Sequence, residues 1–161
     1  MSNDWGMGVI DSLVQEIEAS WRELAASVRD LSPEMRVRPG TVGDWSVKEV
    51  IAHIAAWEAE AARRIDVIIS GFGAELTWPT REEEDAFNAA AAAAACEAEF
   101  EAVEKKLEEA HRDFTELLYA FGEEILATPL DVPATDWIPG WTYLHYQEHA
   151  PQIRALKALV G

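Results

Sequence analysis

The sequence predicts an all-α protein, folded as an antiparallel four-helix bundle. Apolar residues recur at intervals of three and four in several long stretches, and no segment has the two-residue alternation of a half-buried strand. The chain has 161 residues, a length that can bury about 70% of its extended-chain surface around one core. We therefore expect a single domain over residues 1–161, in which four main helices pack against one another.

The first predicted helix covers about Gly8 to Leu31. Its apolar residues lie on one helical face, and most of its charged residues lie off it. Ser32 and Pro33 then supply a cap residue and a first-turn proline, which favours a short extra turn. The apolar face consists of Ile10, Leu13, Val14, Ile17, Trp21, Leu24, Val28 and Leu31.

The second predicted helix covers about Val47 to Ser70. Ser46 and Glu49 have the spacing of a capping box, in which the two side chains satisfy free amides at a helix start. Gly71 and Gly73 favour the left-handed geometry that ends a helix.

A second capping-box pattern begins at Thr80 and opens a stretch without glycine or proline up to Gly122. This stretch predicts either one very long helix over residues 81–121 or two successive helices, with a break near Ala95. It contains seven consecutive alanines, which we interpret as a helical packing surface. Cys96 follows them and is interpreted as a small core residue rather than a nucleophile.

After Ile125, prolines alternate with Trp137 and Trp141, a composition that predicts a packed loop. A final helix is predicted from about Thr142 to Val160. Pro151 lies inside it and removes an amide that would bond a carbonyl one turn earlier, so we expect a kink there. Such a kink could rotate His149 and open the site; alternatively, the helix starts near Pro151 and the histidine pair lies in a less regular turn.

The charge balance and the apolar windows exclude two classes of partner. Thirty acidic and 13 basic side chains give a net charge of -17, which repels the phosphate backbone of nucleic acids. The longest uncharged windows fall short of the roughly 18 apolar residues that cross a bilayer.

The N-terminus lacks the features of a secretory signal, so the expected location is the cytoplasm. The single cysteine excludes an intramolecular disulfide framework.

Three of the four histidines can converge on one site. His145 and His149 are four residues apart, so both rings project from one helical face. His53 lies at the margin of the apolar face of the second helix. Three imidazoles suit zinc, nickel, copper or iron and leave coordination positions for water, a thiolate or substrate. The competing interpretation is hydrogen-bonded core histidines, and we favour that interpretation for His111.

Other side chains near these histidines are candidates for chemistry or for substrate binding. Glu49 could act as a general base, although capping uses the same carboxylate. Tyr146 could donate to an oxyanion, although packing is the commoner role of such a tyrosine. A small-molecule pocket is one interpretation of the tryptophans, and simple core filling is the other. The candidate pocket residues are Trp45, Trp57, Trp141 and Gln152.

Two segments resemble the signatures of the DinB/YfiT-like superfamily. One is Asp44 to Glu58, DWSVKEVIAHIAAWE, and the other is His145 to His149, HYQEH. Between them, Phe87-Asn88 and the stretch from Leu107 to Leu118 are similar to the ClbS/DfsB branch. The resemblance implies a four-helix bundle, commonly dimeric. It also implies that His53, His145 and His149 bind a divalent metal, most often nickel or zinc, with iron as an alternative.

The same resemblance implies a class of activity. Relatives include thiol-dependent transferases, a maleylpyruvate isomerase and a resistance protein that opens a reactive cyclopropane. We therefore expect a metal-dependent transferase or hydrolase that acts on a small electrophilic or toxic metabolite, with a thiol as a candidate cosubstrate. The alternative is a non-catalytic helical bundle that binds a small hydrophobic ligand or forms a dimer.

Overall fold

The structure, a computed structural model, describes residues 8–160, and most of that range is helical. Four long helices are accompanied by three further α-helices and one 3-10 turn at Gly73–Glu75. Within residues 8–160 no strand is present. The predicted all-α class is therefore confirmed, but the predicted count of four helices is not. The helices are α1 (Val9–Val28), α2 (Pro33–Val37), α3 (Val47–Ile69), α4 (Arg81–Cys96), α5 (Phe100–Ala127), α6 (Ala134–Trp141) and α7 (Tyr143–Val160).

Helix α3 lies at the centre of the packing. Its most extensive contact is with α5, and it also contacts α4, while α1 packs mainly against α7. Each of the four long helices contributes fully buried apolar side chains to one continuous core, for example Ile17, Ile54, Phe114 and Ile153. Burial of each such side chain contributes about 1.5–3 kcal/mol to folding.

The long stretch after Thr80 forms two helices. Helix α4 ends at Cys96 and α5 begins at Phe100, which is buried in the core. Helix α5 then continues through Gly122 to Ala127. A Cβ atom on Gly122 would lie 2.6 Å from Cδ1 of Ile10, so this glycine permits the close approach of α1 and α5 instead of ending the helix.

Two predictions about the C-terminal half need correction. The segment around Trp137, predicted as a loop, is helix α6, because Pro133 stands at its N-cap and Trp137 and Ile138 bury one helical face. Cys96, predicted in the core, is exposed, because the core face of α4 ends with Ala92 and Ala95.

The last helix contains Pro151 without interruption. Helix α7 begins at Tyr143 and runs to Val160, close to the predicted bounds. Its buried side chains include His145, His149 and Ile153, so the proline does not turn His149 away from the interior. None of the helices in residues 8–160 combines the length and apolar character that crossing a membrane requires.

Candidate metal centre

The capping box at the start of α3 fixes the helix that carries His53. The Ser46 hydroxyl accepts from the backbone N–H of Glu49 at 3.5 Å, and the Glu49 carboxylate accepts from the Ser46 N–H at 3.4 Å and from its hydroxyl at 3.1 Å. The capping interpretation of Glu49 is confirmed. Its carboxylate is held at the helix start, which does not favour a role as a general base.

Helix α7 supplies the other two histidines. Thr142 precedes the helix, is fully buried and donates its hydroxyl to the carbonyl of Ile138 at 2.7 Å. His145 and His149 follow one turn apart, and their ring centroids are 4.7 Å apart. The spacing-based prediction that both rings share one face is confirmed.

The three histidines meet between α3 and α7. Nε2 of His53 lies 2.7 Å from Nε2 of His145, and the ring centroids of His53 and His149 are 5.3 Å apart. One ring nitrogen from each residue lies within 4.8 Å of the other two. The residues are 9%, 8% and 4% exposed, in the order His53, His145 and His149. The convergence of these three histidines, which the sequence predicted, is present in the structure, and their role as metal ligands stays a prediction.

Burial keeps His53 and His145 in the form that binds metals. Burial first, and then the nearby His149, lower the pKa of His53 to about 4. Burial, His53 and His149 lower the pKa of His145 to about 2. Both rings are therefore neutral at pH 7 and have a lone pair to donate, as metal ligation requires.

The hydrogen bonds of the cluster fit a divalent ion. Nδ1 of His149 lies 2.6 Å from Oε1 of Gln152, whereas its Nε2 is buried and has no partner in residues 8–160. Nitrogen ligands sit about 2.0–2.1 Å from zinc, so two of them can be up to about 4 Å apart. The 2.7 Å between the His53 and His145 nitrogens is within that span. Gln152 faces the opposite ring nitrogen of His149, so we interpret it as a hydrogen-bond partner of that ring rather than as pocket lining.

One of the candidate tryptophans borders the histidine cluster, and the other two pack against each other. The Trp45 ring lies 5.2 Å from His53. One turn after His53, Trp57 contacts Trp141 at a centroid distance of 5.0 Å and donates its Nε1–H to Oδ1 of Asn88 at 2.7 Å. Trp45 thus contacts the histidine cluster, and Trp57 and Trp141 contact each other.

The sequence did not reveal that further residues pack against Trp141. Trp78 lies 5.6 Å from Trp141, and the guanidinium of Arg64 lies 4.7 Å from the Trp78 ring and 5.0 Å from the Trp141 ring. Arg64 is buried, pairs with Glu60 at 3.2 Å and donates to the carbonyl of Thr77 at 2.8 Å. A charged residue four positions from a glutamate is common on exposed helix faces, so the spacing gave no signal of this buried position.

Tyr146 belongs to a separate buried network. Its hydroxyl donates to Oε1 of Glu58, and Nδ1 of His111 lies 3.0 Å from the same oxygen. Nε2 of His111 lies 3.2 Å from Oε1 of Glu18, and the Trp21 ring stacks on His111 at 3.8 Å. The interpretation of His111 as a satisfied core histidine is confirmed. The Tyr146 hydroxyl is engaged with Glu58, which favours its packing role over donation to an oxyanion.

Burial is the main cause of the pKa shifts of Glu58 and Tyr146 in this network. Glu58 and Tyr146 are both 0% exposed. Burial raises the pKa of Glu58, although its bonds with His111 and Tyr146 oppose that shift. Burial and then the Glu58 carboxylate raise the pKa of Tyr146 well above its ordinary value, so the phenol stays protonated and remains a donor.

Known proteins share parts of this sequence and its fold. Over 46 residues, the chain is 39% identical to a Bacillus mycoides (strain KBAB4) protein that is provisionally named a metal-dependent hydrolase. That match spans 29% of this chain and 27% of the relative. A crystal structure of an uncharacterised protein from Escherichia coli UTI89 has the same fold, with a TM-score of 0.77, 15% identity and coverage of 91% of both chains. The sequence model of the DinB superfamily matches residues 16–152. The chain therefore belongs to the DinB superfamily.

Proposed function

We propose that the protein is a metal-dependent enzyme that directs a nucleophile, either water or a thiol, onto a small electrophilic substrate. The observation that carries this proposal is the convergence of three buried imidazoles from α3 and α7. His53, His145 and His149 would hold the ion through their Nε2 atoms. When bound, a divalent ion supplies Lewis acidity and a potent nucleophile at neutral pH. The name of the Bacillus mycoides relative supports the hydrolytic form of the reaction.

The donor set supports a particular group of metals. All three donors are imidazoles, which suit zinc, nickel, copper and iron better than magnesium or calcium. Three protein ligands also leave positions for other groups, as in catalytic rather than structural zinc sites. We propose zinc or nickel as the ion, with iron as an alternative.

The aromatic side chains support a small organic substrate. Trp45 is partly exposed and lies beside His53, and the buried Trp57 packs against the partly exposed Trp141. The similarity of Phe87-Asn88 to the ClbS/DfsB branch favours a reactive, toxic metabolite within this class. Asn88 and Phe87 both contact Trp57, which lies one turn after His53, so Phe87 and Asn88 belong to the surroundings of the candidate site.

A reconstitution assay tests this proposal. The protein is stripped with a chelator, reloaded with zinc or nickel, and offered a panel of activated esters, lactones and epoxides, with and without cysteine or glutathione. We expect turnover by the loaded wild type and loss of at least 100-fold in His145→Ala. Turnover that requires the thiol would identify a transferase, and turnover without it would identify a hydrolase. Equal turnover by wild type and His145→Ala would contradict the proposal.

A cavity favours the second candidate function, sequestration of a hydrophobic small molecule. A cavity of about 470 Å³ lies between α3, α4 and α5, within the size range of ligand pockets. Alanines form most of its lining, among them Ala55, Ala91 and Ala102, and Lys106 and Asp113 also contact it. A ligand bound there would keep its affinity in His145→Ala, whereas an enzyme of the proposed kind would lose activity.

A further inference from the structure

Gln152 makes a close hydrogen bond with one of the three histidines. Its Oε1 lies 2.6 Å from Nδ1 of His149, three residues earlier on α7. Residues three apart on a helix are surface neighbours, so this contact needs no distortion of the backbone. An amide oxygen can only accept, and Nδ1 must therefore carry the hydrogen. The lone pair is left on Nε2.

This bond distinguishes His149 from the other two histidines. The Nδ1 atoms of His53 and His145 are buried without a hydrogen-bond partner in residues 8–160. Within residues 8–160, His149 is therefore the member of the cluster that has a side-chain partner at Nδ1. Its Nε2 is buried and also lacks a hydrogen-bond partner in that range, as expected of a nitrogen that binds a metal ion.

The second ring nitrogen of a metal-binding histidine affects how well the first one binds the ion. A partner on the second ring nitrogen fixes the tautomer, orients the ring and raises the basicity of the ligating nitrogen. Without that partner, a neutral imidazole exchanges its hydrogen between the two nitrogens, and the Nε2–H form cannot bind an ion through Nε2. Gln152 is partly exposed, so the fold does not require this side chain for core packing.

We propose that Gln152 is a positioning residue that holds His149 as the Nδ1–H tautomer and thereby sets the affinity of the three-histidine site for a divalent ion. This inference rests on the metal site of the proposed function. It assigns Gln152 no contact with the ion or with a substrate.

Metal affinity in four proteins tests this proposal. Zinc and nickel dissociation constants are measured by competition with a chromophoric chelator for wild type, Gln152→Leu, Gln152→Glu and Gln147→Leu. Gln147 is a matched control, since it lies on the same helix and bonds the Ser20 hydroxyl at 2.9 Å, away from the histidines. Thermal unfolding of the chelator-treated proteins checks that all four fold.

We expect Gln152→Leu to weaken binding about 10- to 100-fold, the usual effect of losing such a partner. Gln152→Glu keeps an acceptor at Nδ1 and should bind at least as tightly as wild type, and Gln147→Leu should bind like wild type. Imidazole ¹⁵N shifts of the chelator-treated protein should show Nδ1–H at His149 in wild type and a mixture of tautomers in Gln152→Leu.

The outcomes separate this inference from the proposed function. Wild-type protein that binds neither ion would overturn both the metal site and the role of Gln152. Wild-type binding together with unchanged affinity in Gln152→Leu would overturn the role of Gln152 alone. Equal weakening in Gln152→Leu and Gln147→Leu would also overturn it, because the effect would then belong to the helix.

Discussion

Nε2 of His53 and Nε2 of His145 lie 2.7 Å apart, although the two residues are separated by 92 positions in the sequence. At this distance one ring nitrogen donates to the other, and a divalent ion between them would replace that hydrogen bond with two ligand bonds. His53 comes from α3 and His145 from α7. The pair therefore couples the packing of these two helices to any ion that binds there.

Ion binding should stabilise the fold. Zinc or nickel at 100 times its dissociation constant should add about 2.7 kcal/mol to the free energy of unfolding. We expect this stabilisation in the wild type and its loss in His149→Ala, as measured by thermal or chemical unfolding with and without the ion. His111→Gln is the control, because it alters a buried histidine outside the cluster. A similar loss in His111→Gln would contradict the assignment.

Stability should fall as the solution becomes acidic. The pKa of His53 is about 4 in the folded protein and about 6.5 in the unfolded chain. Between these values the unfolded chain binds a proton that the folded protein does not, so the free energy of unfolding decreases as pH falls from 6.5 to 4. Urea unfolding of the chelator-treated protein across that range measures the slope. In a His53→Gln, His145→Gln double variant the slope should be shallower, and an unchanged slope would contradict the pKa assignment.

Tyr146→Phe should reduce stability without affecting the metal. The variant keeps the ring but removes the hydroxyl that donates to the buried Glu58. Leaving a buried acceptor short of a donor costs about 1–3 kcal/mol, which urea unfolding would detect. Zinc uptake should remain at the wild-type stoichiometry. Loss of zinc uptake with unchanged stability would instead place the phenol in the metal site.

Cys96 should react readily in the folded protein. Its side chain is exposed at the end of α4, so a chromophoric disulfide reagent should label about one thiol per chain without denaturant. The labelled protein should retain its zinc uptake, since the histidines belong to α3 and α7. Labelling that requires denaturant would show that the thiol is buried, as the sequence had suggested.

Local signals in the sequence account for much of this fold. The capping boxes at Ser46 and Thr80 mark the starts of α3 and α4, because both the serine or threonine and the glutamate needed for that geometry are visible in the chain. The four-residue spacing of His145 and His149 likewise predicts their shared face. These features depend only on neighbouring residues, and they were predicted correctly.

Features that depend on tertiary packing were not predicted. Helix α6 contains Pro139 and follows Pro133, a composition that is typical of a loop, yet burial of Trp137 and Ile138 stabilises it as a helix. Gly122 lies within α5, where its lack of a side chain allows the close contact with Ile10, a residue distant in sequence. The bond of Tyr146 to Glu58 was also hidden, since it joins α7 to α3.

The metal content of the purified protein tests the central claim most directly. Tag-free wild type and a His53→Ala, His145→Ala double variant are purified without added metal or chelator and measured by elemental mass spectrometry. We expect about one equivalent of zinc, nickel or iron in the wild type and none in the double variant. Wild-type protein that contains no such metal and takes up neither added zinc nor added nickel would contradict the three-histidine metal centre.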